Sequence, residues 1–415
     1  MRNLRWLAAT FLLLFITDAA FADNYRWRPG LKKKARQELI ATGLTKYVGE
    51  FDPVASVPVG DDWVQHIFDP DNASKPAGPA CIVGTPYSVF TKIKNPRKVL
   101  IFLQGGGACW EDFYNCNPVV ETQVPPPPPV GIWGDAFDTG AGTIDNPLSD
   151  FSIVYLPYCD GSVFTGDNDV FDPEYAAAVA PQLGVPPELV PPVRFHRGLQ
   201  NLTAGVDIAK EMFPRARKIV VAGSSAGGVG AASFAPFLTR LAYGNWRDLV
   251  VFNDAGPNAI NLLDINGLLA RQNDWRFDQY YPASCDECDP LGQGTAIVKW
   301  RLKNDRTIRE SFYSTDGDAT NRFFVRVPTQ EQYRELIVSE HGEINERYPR
   351  RYKRFIQSGS TSHTALQTPL YYIGTANDVP LYRWVEDFVF PLRPFFRKEG
   401  RSDWVDIVEP FTPAP

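Results

Sequence analysis

The chain lacks several features that would assign it to a common class of protein. After Ile16 it has no apolar run long enough to form a membrane helix. Its formal net charge of −6 gives no general attraction to nucleic acid, although it does not exclude an anionic polysaccharide held by a local basic patch. It has neither a G-x-x-x-x-G-K-[ST] nor a G-x-G-x-x-G segment, which weakens a phosphate-binding interpretation. We therefore expect no nucleic-acid partner and no membrane span.

A complete set of zinc-binding cysteines and histidines is also missing. Cys285 and Cys288 have C-x-x-C spacing, but no second such pair and no histidine pair completes four ligands. Because the flanking residues are typical of a surface loop, a local disulfide is favoured over a metal or redox site. The even number of six cysteines predicts three disulfides formed in an oxidising compartment. The remaining cysteines are Cys81, Cys109, Cys116 and Cys159.

The N-terminal residues have the pattern of a secretory signal peptide. Arg2 and Arg5 precede an apolar stretch, Trp6–Ile16, which is too short to span a bilayer. Ala20–Ala22 then provides a small-x-small cleavage site. We expect cleavage after Ala22, which removes residues 1–22 and leaves residues 23–415 secreted or periplasmic. An uncleaved anchor is the alternative.

Strand-like and helical segments alternate along the rest of the chain. This alternation predicts an α/β fold with a mostly parallel, doubly wound sheet that is covered on both faces. No linker separates two parts, so residues 23–415 are predicted to form a single domain. The segments with strand character are Lys98–Gln104, Phe151–Tyr158, Lys218–Ala222, Asp248–Phe252, Glu310–Tyr313 and Pro369–Ile373, and those with helical character are Leu199–Met212 and Ala226–Tyr243.

Two regions interrupt this alternation and are predicted to be insertions. Asn117–Asn146 is rich in proline and glycine, and five consecutive prolines at Pro125–Pro129 predict an extended surface loop. Its Trp133 and Phe137 are candidates for the wall of a pocket, although buried packing is the commoner use of such aromatic residues. The second region, Gly267–Trp300, contains the C-x-x-C pair.

The segment KIVVAGSSAGGVG, residues 218–230, contains a G-x-S-x-G pentapeptide between an apolar strand and a helix. In a nucleophile elbow the central serine occupies a strained strand-to-helix turn, and its neighbours are small because the flanking backbone passes close by. This pattern predicts Ser225 as a nucleophile and leaves Ser224 without an assigned role. The alternatives are a glycine-rich turn with idle serines or a phosphate cradle.

A nucleophilic serine needs a base, and the chain has only four histidines. The order serine, acid, histidine that accompanies this turn leaves His341 and His363. His341 lies in a charged segment, VSEHGEINERY, which predicts a solvated helix end. His363 lies in a small polar loop, QSGSTSHTAL, directly before the strand-like Pro369–Ile373, and it is the predicted base.

The acid is expected after a strand beyond the one that follows the nucleophile. Asp254 comes one strand too early, whereas Asp316 and Asp318 follow the strand-like Glu310–Tyr313. Spacing alone cannot choose between these two aspartates. Asp316 precedes Gly317, a combination typical of a turn, and Asp318 is therefore the preferred acid.

The same chemistry needs backbone N–H groups that face the oxyanion of a tetrahedral intermediate. Ala226, the residue after the nucleophile, is one predicted donor. The other is expected in a glycine-rich turn after an earlier strand, and Gly105–Gly107 follow Lys98–Gln104 in this way. The two glycine-rich segments together are a stronger indication than either one alone.

Six segments, taken in order, resemble the pectin acetylesterase family, which includes the Notum carboxylesterases. The similarity extends from about Gly78 to Val389 and is most specific in GSSAGG, the upstream GGG-x-C and PYCDGS. It implies an α/β-hydrolase fold and hydrolysis of a carboxylic ester without a metal or organic cofactor. The segments are LQGGGACW, YLPYCDGSVFTGD, FHRGLQN, GSSAGGVGA, STDGDATN and STSHTAL…LYRWVEDFV.

The resemblance also implies roles for individual residues. The family nucleophile falls on Ser225, the acid on Asp318 and the base on His363. The implied oxyanion donors are Gly106, Gly107 and Ala226. The implied disulfides are Cys81–Cys159 and Cys109–Cys116, which leaves Cys285–Cys288 as the third.

The chain departs from the family pattern near the expected pocket. Gly107-Ala108 stands where relatives have an aromatic residue, and Trp110 follows the cysteine. Asp318 is followed by Ala-Thr-Asn instead of a segment ending in Gln, and no cysteine is adjacent to His363. These differences concern the acyl pocket and the substrate more than the triad.

The resemblance implies two substrate classes, small acetyl esters on plant-wall polysaccharide and long acyl chains on a protein. We expect short acyl esters, and acetylated polysaccharide as the substrate partner. The alternatives are a long-chain or polyester hydrolase, a serine peptidase or amidase, and a hydrolase-fold binding protein with an inactive site.

Overall fold

The computed structural model describes residues 30–70, 77–119, 129–391 and 404–415. The predicted signal peptide and four of the five consecutive prolines lie outside these ranges. Within them, no helix combines the length and the apolar character needed to cross a bilayer. In chain order the helices are α1 (Lys33–Ala41), α2 (Pro173–Leu183), α3 (Gly198–Met212), α4 (Ala226–Ala232), α5 (Ala235–Tyr243), α6 (Ile265–Trp275), α7 (Thr295–Asn304), α8 (Ala319–Phe324), α9 (Gln330–Arg347), α10 (Leu370–Ile373) and α11 (Leu381–Val389).

The strands build one large sheet and four short hairpins or ribbons. The first nine strands in chain order are β1 (Ala55–Pro58), β2 (Trp63–Phe68), β3 (Tyr87–Lys92), β4 (Asn95–Leu103), β5 (Gly107–Trp110), β6 (Phe113–Cys116), β7 (Ala136–Asp138), β8 (Thr143–Asp145) and β9 (Phe151–Leu156). The others are β10 (Asn168–Phe171), β11 (Val193–His196), β12 (Lys218–Ser224), β13 (Asp248–Asp254), β14 (Arg309–Thr315), β15 (Tyr352–Gln357), β16 (Thr375–Ala376), β17 (Val379–Pro380) and β18 (Ile407–Val408).

The large sheet has ten strands in the order β1-β2-β3-β9-β4-β12-β13-β14-β15-β18. Pairing is antiparallel from β1 to β9 and parallel from β9 to β18. Side chains of β12 alternate between two apolar cores: Ile219 and Val221 belong to one, Val220 and Ala222 to the other. The sheet is therefore buried on both faces, which confirms the predicted mostly parallel α/β fold and is consistent with an α/β-hydrolase.

The chain reverses its direction of winding between β4 and β12. After β4 it crosses to β9 on one side, and it then returns to add β12 on the other side of β4. Ligands of open α/β sheets bind beyond the carboxyl ends of the strands at such a reversal. The glycines that follow β4 and the serines that close β12 lie at this position.

Two sequence-based assignments of secondary structure were wrong. The segment predicted as a strand at Pro369–Ile373 is the short helix α10, whose backbone donors find carbonyl partners locally. The single helix predicted over Ala226–Tyr243 is divided into α4 and α5. Pro236, in the first turn of α5, has no N–H to donate to a carbonyl of the preceding turn, so the hydrogen bonds of α4 do not continue through it.

The aromatic residues of the first insertion pack in the core. Trp133 is buried with its ring edge-on to Phe102, at 4.7 Å between ring centres, and Phe137 stacks on Tyr372 at 4.9 Å. Neither residue is among those lining the two cavities described below. The packing interpretation is the correct one.

Three disulfides join the pairs that the resemblance implied: Cys81–Cys159, Cys109–Cys116 and Cys285–Cys288. Cys109–Cys116 connects β5 and β6, and Gly107 pairs with Cys116 at the open end of this hairpin. The bond thus secures the segment that immediately follows the three glycines.

Candidate active site

Ser225 occupies a strained turn between β12 and α4. Its φ of 57° and ψ of −122° lie in a region that side chains rarely adopt, and its N–H donates to the carbonyl of Asp254 at 2.8 Å. A Cβ on Gly223 would collide with the carbonyl of Gly227, and one on Gly227 would collide with that of Leu103. The small residues of the pentapeptide are therefore required by close backbone approach, as the sequence predicted.

The glycine turn after β4 lies against this serine. A Cβ on Gly105 would be 2.6 Å from the Ser224 carbonyl oxygen and 2.7 Å from the Ser225 Cβ. Gly107 has a φ of 81°, and a Cβ there would collide with the carbonyl oxygen of Asn115 in the facing strand. The turn can keep this shape only with glycine, and Gly105 lies directly against Ser225.

His363 and Asp318 meet although 45 residues separate them: the His363 Nδ1 and the Asp318 Oδ2 are 2.7 Å apart. Asp318 is fully buried, whereas His363 is half-buried. A carboxylate can only accept, so Nδ1 carries the proton and Nε2 is left as an acceptor. Nε2 has no hydrogen-bond partner among the described residues. An imidazole in this state is available to receive a proton.

Asn321 orients the carboxylate of Asp318. Its N–H donates to Oδ1 at 2.8 Å and its side-chain amide donates to Oδ2 at 2.9 Å, while the same amide group contacts the Ala255 carbonyl and the Tyr333 hydroxyl. Asp318 is thereby the N-cap of α8. Sequence reasoning missed Asn321, although an aspartate three residues before it is the spacing of a helix cap.

The structure separates Asp316 from this group. Its carboxylate pairs with Arg334 at 2.7 Å and accepts hydrogen bonds from Gln330 and Ser358. Of the two aspartates that spacing could not separate, only Asp318 reaches His363.

The prediction that His341 lies at a solvated helix end was wrong. It is buried within α9, where its ring stacks on Phe312 and its two nitrogens contact the Tyr352 hydroxyl and the Pro257 carbonyl. Burial lowers the pKa of His341 to about 3, so it stays neutral. The charged residues around it occupy the other faces of the helix.

Ser224 and Asp254, neither of which was assigned a catalytic role from the sequence, form a buried connection. The Ser224 hydroxyl donates to the Asp254 carboxylate at 2.6 Å, and the N–H groups of Ala365 and Leu366 donate to it at 3.0 Å each. Burial raises the pKa of Asp254 to about 6. This carboxylate ties the turn that carries Ser225 to the loop that carries His363.

Two cavities meet at Ser225. One, which we call the polar pocket, is open to solvent and includes His363. The other, which we call the apolar cavity, has a volume of about 170 Å³. Gly107, Ser225 and Phe324 line both. Other residues of the polar pocket are Gln104, Gly106, Asn117, Gln182 and Gln367, and those of the apolar cavity include Trp110, Ala226, Val229, Phe234, Leu268, Trp275 and Val325.

Comparison of the chain with models of known protein families gave a match. Residues 71–257 match the model of the family described as Pectinacetylesterase. This part of the chain is similar to the pectinacetylesterase family. The predicted resemblance is confirmed, and the family indicates a carboxylic ester hydrolase that acts on acetylated polysaccharide. The matched part includes the glycine turn and Ser225 but ends before Asp318 and His363. A search of curated proteins gave no match.

No cluster of three or more His, Cys, Asp or Glu side chains with metal-binding geometry occurs in the described parts of the chain. The six cysteines are all engaged in disulfides.

Proposed function

We propose that this protein is a serine carboxylesterase of the pectinacetylesterase family in which Ser225 is the nucleophile, His363 the base and Asp318 the acid. The supporting observation is the hydrogen bond between His363 and Asp318, which leaves the His363 Nε2 without a partner among the described residues. His363 and Ser225 line the same pocket. We further propose that residues 1–22 are removed on export and that residues 23–415 form one secreted or periplasmic domain. Three disulfides fit an oxidising compartment.

The proposed reaction proceeds in two acyl transfers. His363 takes the Ser225 proton at Nε2 while the serine oxygen attacks the ester carbonyl, and Asp318 stabilises the imidazolium that forms. The N–H groups of Gly106, Gly107 and Ala226 are the proposed donors to the oxyanion. The C–O bond to the alcohol then breaks, and the alcohol leaves with the proton from Nε2. Water repeats the sequence on the acyl-enzyme, which releases the acid and restores the serine.

The two cavities receive different parts of the ester in this mechanism. The alcohol must lie beside His363, which protonates it, and therefore occupies the polar pocket. The amide side chains of Gln104, Asn117 and Gln367 there suit an alcohol with many hydroxyl groups. We therefore propose an acylated sugar of a polysaccharide as the substrate, with a short acyl group such as acetyl.

A longer acyl group is the second candidate, and the apolar cavity is the observation that favours it. A volume of about 170 Å³ far exceeds the roughly 10–15 Å³ that one water molecule requires by the same measure. An acetyl methyl group would leave most of this space unfilled. Apolar side chains such as Val229, Phe234 and Leu268 line it.

The test is a series of nitrophenyl esters from acetyl to palmitoyl, together with acetylated pectin, for residues 23–415. We expect Ser225→Ala to reduce turnover of every substrate by at least about 10⁴-fold. Ser339→Ala, at an exposed serine outside both cavities, is the control. Highest activity on acetyl esters supports the first candidate and a maximum at longer chains the second. Equal activity of the Ser225→Ala variant would exclude the proposed mechanism.

A further inference from the structure

Among the described residues that line the apolar cavity, Arg271 is the one with a charged side chain. It extends from α6, and its Nε donates to the Gly267 carbonyl at 2.9 Å. The guanidinium carbon lies 5.0 Å from the centre of the Trp110 ring. Among the described residues its two terminal nitrogens have no hydrogen-bond acceptor and no carboxylate partner. These nitrogens are the donors that remain available to a ligand.

Arg271, which is half-buried, differs from the fully buried arginines among the described residues, all of which have carboxylate partners. Each guanidinium lies within 2.8 Å of a carboxylate oxygen, so the fold supplies a counter-ion when it buries this side chain. The pairs are Arg194–Asp172, Arg197–Asp169, Arg240–Asp305 and Arg301–Glu310. Arg271 departs from this pattern.

Asp264, the carboxylate whose charge acts on Arg271, does not pair with it. The Oδ1 of Asp264 pairs with Arg326 at 3.1 Å and accepts from the N–H of Gly267. Burial lowers the pKa of Arg271 to about 10, in opposition to the charge of Asp264. Even so, the side chain is charged at neutral pH. An unpaired cation that faces an apolar space favours an anionic ligand, which supplies the missing charge and accepts the free N–H groups.

The cation lies away from the reacting bond. Gly107, which lines both cavities together with Ser225, and Trp110, next to Arg271, are the two ends of β5, and three residues of a strand span about 10 Å. An anion at Arg271 therefore belongs to the far end of whatever enters the cavity. An acetyl group does not reach it.

We propose that Arg271 makes the apolar cavity a carboxylate-binding site, which selects acyl groups that end in a carboxylate, such as half-esters of dicarboxylic acids. The selection of acyl groups rests on the proposed function, because it requires the acyl group to enter this cavity. The binding of a carboxylate does not, and the two are tested separately.

Binding is measured by calorimetry at pH 7.5 on the full mature chain with Ser225→Ala, which prevents turnover. Hexanoate is compared with hexanamide, a neutral molecule of nearly the same shape. We expect hexanoate to bind at least about tenfold more tightly, and this preference to disappear when Arg271→Met is added. Unchanged hexanamide binding by the Arg271→Met protein shows that its cavity is intact. Arg347→Met, at an exposed arginine outside both cavities, is the control and should keep the preference.

Equal binding of the two compounds would overturn the proposal. So would a preference that survives Arg271→Met, which is the result for a carboxylate held by the amides around Ser225. Turnover is then compared for the mono-nitrophenyl ester of adipic acid and nitrophenyl hexanoate on the protein with Ser225 intact. If the protein turns over the adipate ester faster and Arg271→Met removes this preference, the carboxylate site also selects the acyl group in catalysis. Arg271-dependent binding without turnover of either ester would keep the carboxylate site and reject the esterase proposal.

Discussion

The polar pocket and the apolar cavity share Ser225 but differ in their openness to solvent, in the polarity of the side chains that line them and in their charged groups. The polar pocket is open, rich in amide side chains and contains the imidazole. The apolar cavity is more enclosed, is lined by aromatic and aliphatic side chains and contains one unpaired cation. In the proposed mechanism, the alcohol of the ester is therefore recognised by hydrogen bonding and the acyl group by burial of apolar surface.

The largest expected effect is one that does not distinguish the two cavities. Asp318→Asn leaves a partner for His363 Nδ1 that favours the wrong tautomer, so we expect kcat to fall by about 10⁴-fold. Since every ester needs the same proton transfer, the loss should be equal for nitrophenyl acetate, nitrophenyl hexanoate and acetylated pectin. Asp316→Asn is the comparison, and it should alter stability more than kcat. A loss confined to one substrate would contradict a shared base.

A smaller effect is expected where the two cavities meet. Gly107→Ala places a Cβ against the Asn115 carbonyl and requires a positive φ, so the oxyanion turn must shift. We expect kcat to fall by about 10²–10³-fold, the usual cost of one lost oxyanion donor. Gly140→Ala has a similar φ of 74° but meets no atom within 4 Å, and activity should be retained. Equal losses in the two variants would point to general destabilisation.

The next substitution separates the cavities. Val229→Phe fills part of the apolar cavity, so we expect kcat/KM for nitrophenyl hexanoate to fall by about tenfold while that for nitrophenyl acetate changes little. Gln367→Leu, in the polar pocket, should leave the ratio of these two esters unchanged and weaken hydrolysis of acetylated pectin. If Val229→Phe slows both nitrophenyl esters alike, the acyl group does not enter this cavity.

The smallest expected effect concerns Asp254, the buried carboxylate that connects the turn carrying Ser225 to the loop carrying His363. Because the pKa of Asp254 is raised to about 6 in the folded chain, against about 3.9 when unfolded, the folded state holds an extra proton between these values. Stability therefore falls as the pH rises from 4 to 6, by at most about 3 kcal/mol. We expect Asp254→Asn to flatten this slope in chemical denaturation.

Asp378→Asn, at an exposed turn, is the control for this titration and should keep the slope of the parent protein. A slope that survives Asp254→Asn would assign the extra proton to another group.

The sequence predicted the half of the site that is encoded locally. The G-x-S-x-G turn and the three glycines each follow an apolar strand, so their geometry depends on neighbours within a few residues. The pairing of His363 with Asp318 was also anticipated, but only from chain order and turn chemistry. Chain order does not reveal the hydrogen bond between Ser224 and Asp254. This hydrogen bond joins two neighbouring parallel strands, and their register is set by the whole sheet.

Properties that depend on tertiary packing were not predictable in this way. His341 lies among charged residues in the sequence, yet one face of α9 buries it against Phe312. The apolar cavity collects residues from Gly107 to Val325, so no local pattern reports its size or its single cation. The short apolar run at Leu370–Ile373 is compatible with a strand or a helix until its packing is known.

The position of Phe324 affects how selective this protein can be. Besides Ser225, it is the one described residue with a side chain that lines both the polar pocket and the apolar cavity, and it is the last residue of the short helix that Asp318 caps. We infer that its ring separates the two cavities, so that the preference of the protein for an alcohol does not depend on its preference for an acyl group. With a smaller residue at this position the two compartments would merge. Selectivity for one half of the ester would then depend on the identity of the other.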